Sequence, residues 1–254
     1  MIHADQVTFA YPSTQESIFL NFSWTVGNSE SWTVLGPSGC GKTTLLYLLS
    51  GLLLPDKGII TINEERLLRP RPRSGLILQD YGLLPWATVY ENCELGIRLR
   101  AYYGADGIHA PQEKQSRANT EYWLEKMGLT GLKEKYPSQL SGGQRQRTAI
   151  ARTLNLGPDL LLMDEPFSSL DAPTRGNLQE LTLELIKENG LTLVLVTHSI
   201  EEAVFLGKNI LLLGNPPNEK GIIIENPNAG EKYFRNSNGF IENCRYLREQ
   251  MGES

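Results

Sequence analysis

The run Gly36-Pro37-Ser38-Gly39-Cys40-Gly41-Lys42-Thr43-Thr44 is a complete G-x-x-x-x-G-K-[ST] loop. Its glycines let backbone N–H groups turn inward on the β- and γ-phosphates of a nucleotide, and the helix that follows presents its positive end. Lys42 adds a point charge that reaches the same oxygens, and the Thr43 hydroxyl is placed for Mg²⁺. A second feature is Leu160-Leu161-Leu162-Met163-Asp164-Glu165, an apolar strand that ends in two acids. Acids at the carboxyl edge of an open α/β sheet face the usual ligand crevice. Asp164 suits Mg²⁺ through a water, and Glu165 suits the polarisation of an attacking water as general base. Taken alone, such a strand end fits an ordinary turn equally well; a phosphate loop whose Lys42 lies 122 positions upstream of Asp164 favours the chemical reading. A third feature, Leu140-Ser141-Gly142-Gly143-Gln144, opens a helix in which Ser141 is a good N-cap and the glycines bare the amides. A plainly capped helix would explain that segment as well as a second anion site would. If both phosphate-binding features act, two surfaces hold one triphosphate.

Positioning these groups needs a particular order of elements. Residues 2–35 fall into three β-like runs separated by turns, and the last ends at the glycine loop. A helix is expected from Gly41 to about Leu53, with Leu45, Leu46, Leu48, Leu49 and Leu52 buried and Pro55 as the stop. Residues 58–62 and 75–79 read as strands, with the basic, proline-rich segment RLLRPRPRS between them as a solvated turn. From Tyr81 to Gly157 the pattern is helical, with helices expected over Val89–Tyr103, Gln112–Met127 and Gly142–Leu156 and a loop over AYYGADGIHAP. Strand and helix alternate again after Pro158, which implies a mostly parallel sheet with right-handed crossovers. Block 80–157 thus reads as an insertion into an α/β domain. The tail 215–254 begins with a turn, and Phe240, Cys244, Leu247 and Met251 then recur at helical spacing on a helix docked at the domain edge.

Bulk properties set the class. The 254 residues are ample for a large core, and 40% hydrophobic with 21% charged residues reads as soluble and globular. A net charge of -5 argues against nucleic acid as a partner. Cys40, Cys93 and Cys244 lie far apart with no metal-like spacing and are expected to be reduced structural thiols. The N-terminus lacks a basic segment followed by an apolar run, and no apolar stretch approaches the roughly 20 residues of a membrane span.

The order phosphate loop, Gln79, Leu140-Ser141-Gly142-Gly143-Gln144, Asp164-Glu165, Ser169-Leu170-Asp171 and His198 covers essentially the whole chain. With 23 positions from Ser141 to Asp164, it resembles the ATPase subunit of an ATP-binding-cassette (ABC) transporter. That resemblance implies an α/β P-loop NTPase (RecA-like) core with an N-terminal antiparallel β part and an inserted α-helical subdomain. The chain would be one nucleotide-binding domain, 1–254, with a core lobe at 1–79 and 158–214, a helical lobe at 80–157 and a C-terminal extension at 215–254. It further implies that Gln79 contacts Mg²⁺ or the water and faces a membrane partner, that Asp171 organises a dimer interface, and that His198 bonds the γ-phosphate. Tyr11 resembles the aromatic that stacks on adenine. Without the resemblance, Gln79 is one surface glutamine among many, Asp171 a helix-cap signal, His198 a structural strand-end histidine and Tyr11 a hairpin aromatic.

Similarity to this family also implies ATP and Mg²⁺ as ligands. Each ATP would be sandwiched between the phosphate loop of one cassette and the Ser141–Gln144 segment of a second, most simply in a homodimer. Other expected partners are transmembrane permease subunits and, indirectly, an extracytoplasmic solute-binding protein, with the chain peripheral on the cytoplasmic face of the membrane. Gln79 to Asn92, with LLPW-x-T-V-x-x-N, resembles the nitrate/sulfonate/taurine importer branch and would put Trp86 in the permease groove; these residues would equally pack a helical block. Two rivals explain less. A soluble ABC ATPase of DNA repair or translation usually carries a coiled-coil insert or two cassettes, and a P-loop kinase leaves Leu140–Gln144 and His198 without a task.

Overall fold

The computed structural model describes residues 1–12, 16–103, 118–231 and 233–252. The chain divides into two compact units, one of Met1–Pro70, Leu162–Glu165 and Thr182–Ser254, the other of Arg71–Leu161 and Pro166–Leu181. Elements are numbered in chain order.

The first unit begins with an antiparallel sheet of β1 (Ile2–Phe9), β2 (Phe19–Val26), β4 (Lys57–Ile62) and β5 (Glu65–Arg66) in the order β2-β1-β4-β5. Burial of Ile2 and Ala4, and of Val7 and Phe9 beyond an irregularity in the register, marks the core side of β1, and Ile2 sits between Val26 and Ile62 in register. The larger sheet of this unit uses β3 (Ser31–Leu35), β7 (Leu160–Asp164), β8 (Thr192–Val196), β9 (Asn209–Leu212) and β10 (Ile222–Glu225), in the order β10-β9-β3-β8-β7. β3 is parallel to both β8 and β9, while β10 is antiparallel to β9. Every residue of β3, β7 and β8 is buried, as expected of parallel strands covered on both faces. Helices α1 (Lys42–Ser50), α6 (Ile200–Leu206) and α7 (Asn238–Met251) complete the unit; Ser199 and Ser237 cap the last two.

The second unit holds β6 (Ser74–Ile77), α2 (Val89–Tyr103), α3 (Ala118–Lys126) and α4 (Gly142–Leu154), together with the first two residues of β7. α5 (Ala172–Asn189) starts in this unit and ends in the first. Entry into β7 is set inside the second unit, where the Asp159 N–H donates to the Arg73 carbonyl at 3.0 Å. α2 and α3 both pack on α4. Buried Asn155 fixes all three by donating to the Cys93 carbonyl at 2.8 Å and the Thr120 hydroxyl at 2.9 Å. A reciprocal cap starts α2: the Thr88 N–H donates to the Glu91 carboxylate at 2.8 Å and the Glu91 N–H to the Thr88 hydroxyl at 3.2 Å.

The structure corrects several expectations. α1 stops at Ser50, because Gly51 adopts φ 76 and turns its N–H back to the Leu48 and Tyr47 carbonyls, so Pro55 plays no part in ending it. Leu52 therefore lies past the helix and is 55% exposed instead of buried. β6 ends at Ile77, which leaves Gln79 in a turn. RLLRPRPRS is more than a solvated turn: Arg66 belongs to β5, Leu67 is buried and Arg71 pairs with Asp159. α2 runs over Val89–Tyr103 as expected, so Ala101–Tyr103, which the loop reading also covered, are helical; the rest of that loop and residues 112–117 of the helix expected over Gln112–Met127 lie outside the described residues. β10 had no clear signature because its three isoleucines neither alternate nor bury. Phe240, Cys244 and Leu247 are buried on α7 as expected, with Met251 half-buried.

Candidate active site

In the first unit, the carboxyl ends of β3, β7 and β8 deliver the phosphate loop, the two acids and His198. The loop leaves β3 at Gly36 and enters α1 at Gly41, whose φ is 105 and whose Cβ, if present, would lie 2.4 Å from Ile18 Cγ2. Only glycine fits there on both counts. Lys42 is buried, and its ammonium donates to the Gly36 carbonyl at 2.8 Å and the Pro37 carbonyl at 2.9 Å. Pro37, Ser38 and Gly39 are exposed at the rim, whereas Cys40 is buried with its sulfur 4.0 Å from Lys42 Nζ. Burial pushes the Cys40 thiol up despite the nearby ammonium, so it is held as a neutral thiol. Thr44 Oγ1 lies 3.2 Å from the Tyr11 hydroxyl, and the Tyr11 ring sits edge-on to Phe9 at 5.1 Å.

Thr43 Oγ1 donates to Asp164 Oδ1 at 3.2 Å. Burial pushes the Asp164 carboxyl above its ordinary range; the Thr43 hydrogen bond opposes this, the Glu165 charge adds to it and Lys42 opposes it again. Two hard oxygen donors side by side fit Mg²⁺, which takes one or two protein ligands and completes its shell with phosphate and water. Among the described residues no group of three His, Cys, Asp or Glu is placed to hold a metal ion.

Glu165 follows directly at φ 44, a left-handed backbone rare for a non-glycine residue, and its N–H donates to the Val196 carbonyl at 2.9 Å. Such strain concentrates at working sites. Glu165 Oε2 lies 3.1 Å from His198 Nδ1, with side-chain exposures of 22% and 61%. A carboxylate has no proton to give, so Nδ1 carries the hydrogen, and Nε2 is the ring nitrogen left to face solvent or ligand. The arrangement supports a base held in one orientation by an imidazole.

Sequence reasoning missed Asn218. This buried residue donates from Nδ2 to the Cys40 carbonyl at 2.8 Å and accepts from the Gly214 N–H at 3.0 Å. Its backbone also pairs with Ile18 and Leu20, so the tail segment props the phosphate loop. An Asn after two prolines reads only as a turn; no local signal marks the long-range bond.

The remaining expected site residues, Gln79, Ser141, Gly142, Gly143, Gln144 and Asp171, belong to the second unit. Gln79 is exposed in the turn after β6. Ser141 caps α4 in a reciprocal box: its hydroxyl accepts from the Gln144 N–H at 3.3 Å, and its own N–H donates to Gln144 Oε1 at 2.9 Å. A Cβ on Gly143 would fall 2.5 Å from Thr174 Cγ2, so close packing demands glycine. The Asp171 carboxylate accepts from the Thr174 N–H at 3.1 Å, a hydrogen bond that leads the causes holding it below the usual carboxylate range. Asn92 is fully buried and knots the segment before α2 by accepting from the Leu84 N–H at 2.8 Å and donating to the Leu84, Ala87 and Thr88 carbonyls. That knot displays Trp86 at 74% exposure beside a groove of about 540 Å³ lined by Leu84, Leu95, Arg98, Leu99 and Tyr102. No helix among the described residues is long and apolar enough to cross a membrane.

Comparison with known proteins gives matches along most of the chain. The family profile described as "ABC transporter" matches residues 19–168. The "Taurine import ATP-binding protein TauB" of Yersinia pestis bv. Antiqua (strain Antiqua) is 40% identical over 225 residues, covering 88% of this chain and 82% of that protein. The "Aliphatic sulfonates import ATP-binding protein SsuB" of Bacillus thuringiensis subsp. konkukian (strain 97-27) is 39% identical over 206 residues, covering 81% and 77%. Among solved structures, a dimeric post-hydrolysis state of the ATP-binding cassette MJ0796 bound to ADP and Pi aligns with a TM-score of 0.73 at 30% identity, covering 87% of this chain and 98% of that one.

Proposed function

We propose, from the premise that this chain belongs to the ABC transporter family and is an ATPase of it, that it is the subunit driving import of a small sulfonate-like solute, with taurine, other sulfonates and nitrate as the candidates. The observation that carries the catalytic part is the contiguous set Thr43–Asp164 and Glu165–His198, at 3.2 and 3.1 Å, beside the Lys42 loop. In this reading Gly36 to Thr44 hold the ATP phosphates, with Lys42 on the β- and γ-oxygens, and Tyr11 stacks on adenine. Thr43 and Asp164, with Gln79, would hold Mg²⁺, which when bound neutralises charge on the phosphate oxygens. Glu165 accepts the proton of a water whose oxygen attacks the γ-phosphorus; the bond to the β-phosphate oxygen breaks and ADP leaves. His198 keeps Glu165 oriented through Nδ1 and offers Nε2 to the γ-phosphate.

The Ser141–Gln144 segment and Asp171 serve a second cassette, most simply an identical copy, so that ATP closes the pair and hydrolysis reopens it. In this reading the exposed Trp86 and its groove receive the transmembrane permease subunits, with the chain peripheral on the cytoplasmic face of the membrane and a solute-binding protein acting beyond them. The functional division in the same reading is core lobe 1–79 and 158–214, helical lobe 80–157 and extension 215–254. Reconstitution of the chain with its permease subunits and solute-binding protein in liposomes tests the reading. ATP-dependent uptake of labelled taurine or an alkanesulfonate is expected; ATP hydrolysis with uptake of neither these nor nitrate overturns the solute assignment.

A further inference from the structure

Within the second unit, the turn that follows β6 is held from two sides. Tyr81 is 7% exposed and has φ 67, a left-handed backbone. Its own carbonyl accepts from Arg152 Nη2 at 2.9 Å, and the next carbonyl, that of Gly82, accepts from Arg152 Nη1 at 2.5 Å. Arg152 comes from the last turn of α4, and burial lowers its affinity for its proton. On the other side, the Tyr81 hydroxyl lies 2.6 Å from Ser169 Oγ. Gly142 completes the cluster: a Cβ there would lie 3.3 Å from Leu170 Cδ2 and 4.0 Å from the Tyr81 hydroxyl.

Packing alone does not require this arrangement. A phenylalanine would fill the same space, and a tyrosine in a left-handed turn persists only where its surroundings over-determine it. What the hydroxyl adds is a direct tie between two chain segments. Tyr81 is two residues past Gln79; Ser169 is four residues past Glu165 and two before Asp171. A single hydrogen bond therefore joins the turn carrying Gln79 to the turn by which the chain leaves Glu165, and the latter is itself tight, with the Leu170 N–H donating to the Phe167 carbonyl at 3.3 Å.

We propose that Tyr81 and Ser169 are a positioning pair for ATP hydrolysis, setting the turn that carries Gln79 against the turn between Glu165 and Asp171. Neither is a catalytic residue; both act through those neighbours. The inference rests on the roles given to Gln79 and Glu165.

The test is a double-mutant cycle on the full chain: Tyr81→Phe, Ser169→Ala, the double variant and Ser169→Thr, which keeps the hydroxyl. Steady-state MgATP hydrolysis, ATP affinity by calorimetry and thermal midpoints are measured for each. Loss of this one part-buried hydrogen bond is expected to lower kcat by about fivefold in each single variant. KM and ATP affinity should stay within about twofold, the double variant should match the singles, and Ser169→Thr should keep at least about half the wild-type rate, as one shared bond requires. Losses that multiply to about 25-fold in the double variant overturn the proposal. So does an unchanged kcat in both singles, or a lower rate explained entirely by a smaller folded fraction. Glu165→Gln measured alongside tests the site assignment separately, so failure of the pair and failure of the site are distinguishable.

Discussion

Glu165→Gln isolates one chemical function with almost no change of shape. The amide oxygen can still accept from His198 Nδ1–H across the 3.1 Å gap, so the dyad keeps its geometry. Replacing a charge-assisted hydrogen bond by a neutral one costs about 1 kcal/mol in the resting protein. Removing a general base costs about 10²- to 10⁴-fold in rate, or about 2.7–5.5 kcal/mol of barrier. The second figure exceeds the first, so the base decides the outcome. Nucleotide binding should survive, since the bonds of Lys42 to the Gly36 and Pro37 carbonyls and of Thr43 to Asp164 remain. Loss of the Glu165 charge also removes one influence that raises the Asp164 carboxyl, which favours the ionised form a cation needs. The expected result is a kcat at least about 10²-fold lower with ATP affinity retained, and an ATP-bound dimer on sizing chromatography. A kcat within about tenfold of wild type, or an inactive variant that stays monomeric with ATP, refutes the assignment of the base.

Lys42→Ala should weaken ATP binding at least about tenfold, since it deletes the buried cation among the loop carbonyls; unchanged affinity by calorimetry contradicts the role of Lys42. Trp86→Ala should uncouple transport from hydrolysis in the reconstituted system, while the folding free energy changes by about 0.5 kcal/mol or less because the ring is 74% exposed; a collapse of folding or basal ATPase would assign Trp86 to packing instead. Burial pushes the Asp159 carboxyl up, but the Arg71 hydrogen bonds and charge, with Arg73, outweigh it and hold it below the usual carboxylate range. The stability this pair adds is present above the unfolded value and is lost as pH falls through the folded one. Asp159→Asn should therefore flatten the fall of the thermal midpoint as pH drops below the usual carboxylate range relative to wild type, and parallel curves would count against it.

What the sequence made legible was what short-range chemistry dictates. The phosphate loop, the strand ending in Asp164-Glu165 and the Ser141 cap carry their physics within a few residues, and each stands where its spacing indicated. α2 spans Val89–Tyr103, as the helical pattern of that stretch indicated. Long-range fixtures were opaque. Nothing near Asn218 announces that it bonds Cys40, a residue 178 positions away. Tyr81 and Ser169 are likewise 88 positions apart, and no periodicity links them. Boundaries failed where one glycine overrode a hydrophobic run: Leu52 and Leu53 continue the apolar pattern of α1, but the left-handed Gly51 ends the helix first.

The start of α4 explains why local reading left two alternatives open. Ser141 and Gln144 satisfy each other, which spends one side-chain acceptor on the Gln144 N–H and one on the Ser141 N–H. A capping box does nothing for the N–H groups of Gly142 and Gly143, which lack an intrahelical partner by position. The glycines themselves have a packing reason to be there, because Leu170 and Thr174 crowd the space a side chain would need. One local sequence thus meets a stability demand and leaves two amides at the positive end of a thirteen-residue helix. Stability explains the serine and the glutamine fully, and packing explains the glycines. What neither requires is that the same residues lie in a chain whose other unit already holds a full phosphate loop. It is that pairing, one loop and one bare helix start per chain, that makes a head-to-tail pair of copies the simplest way for both to reach a triphosphate.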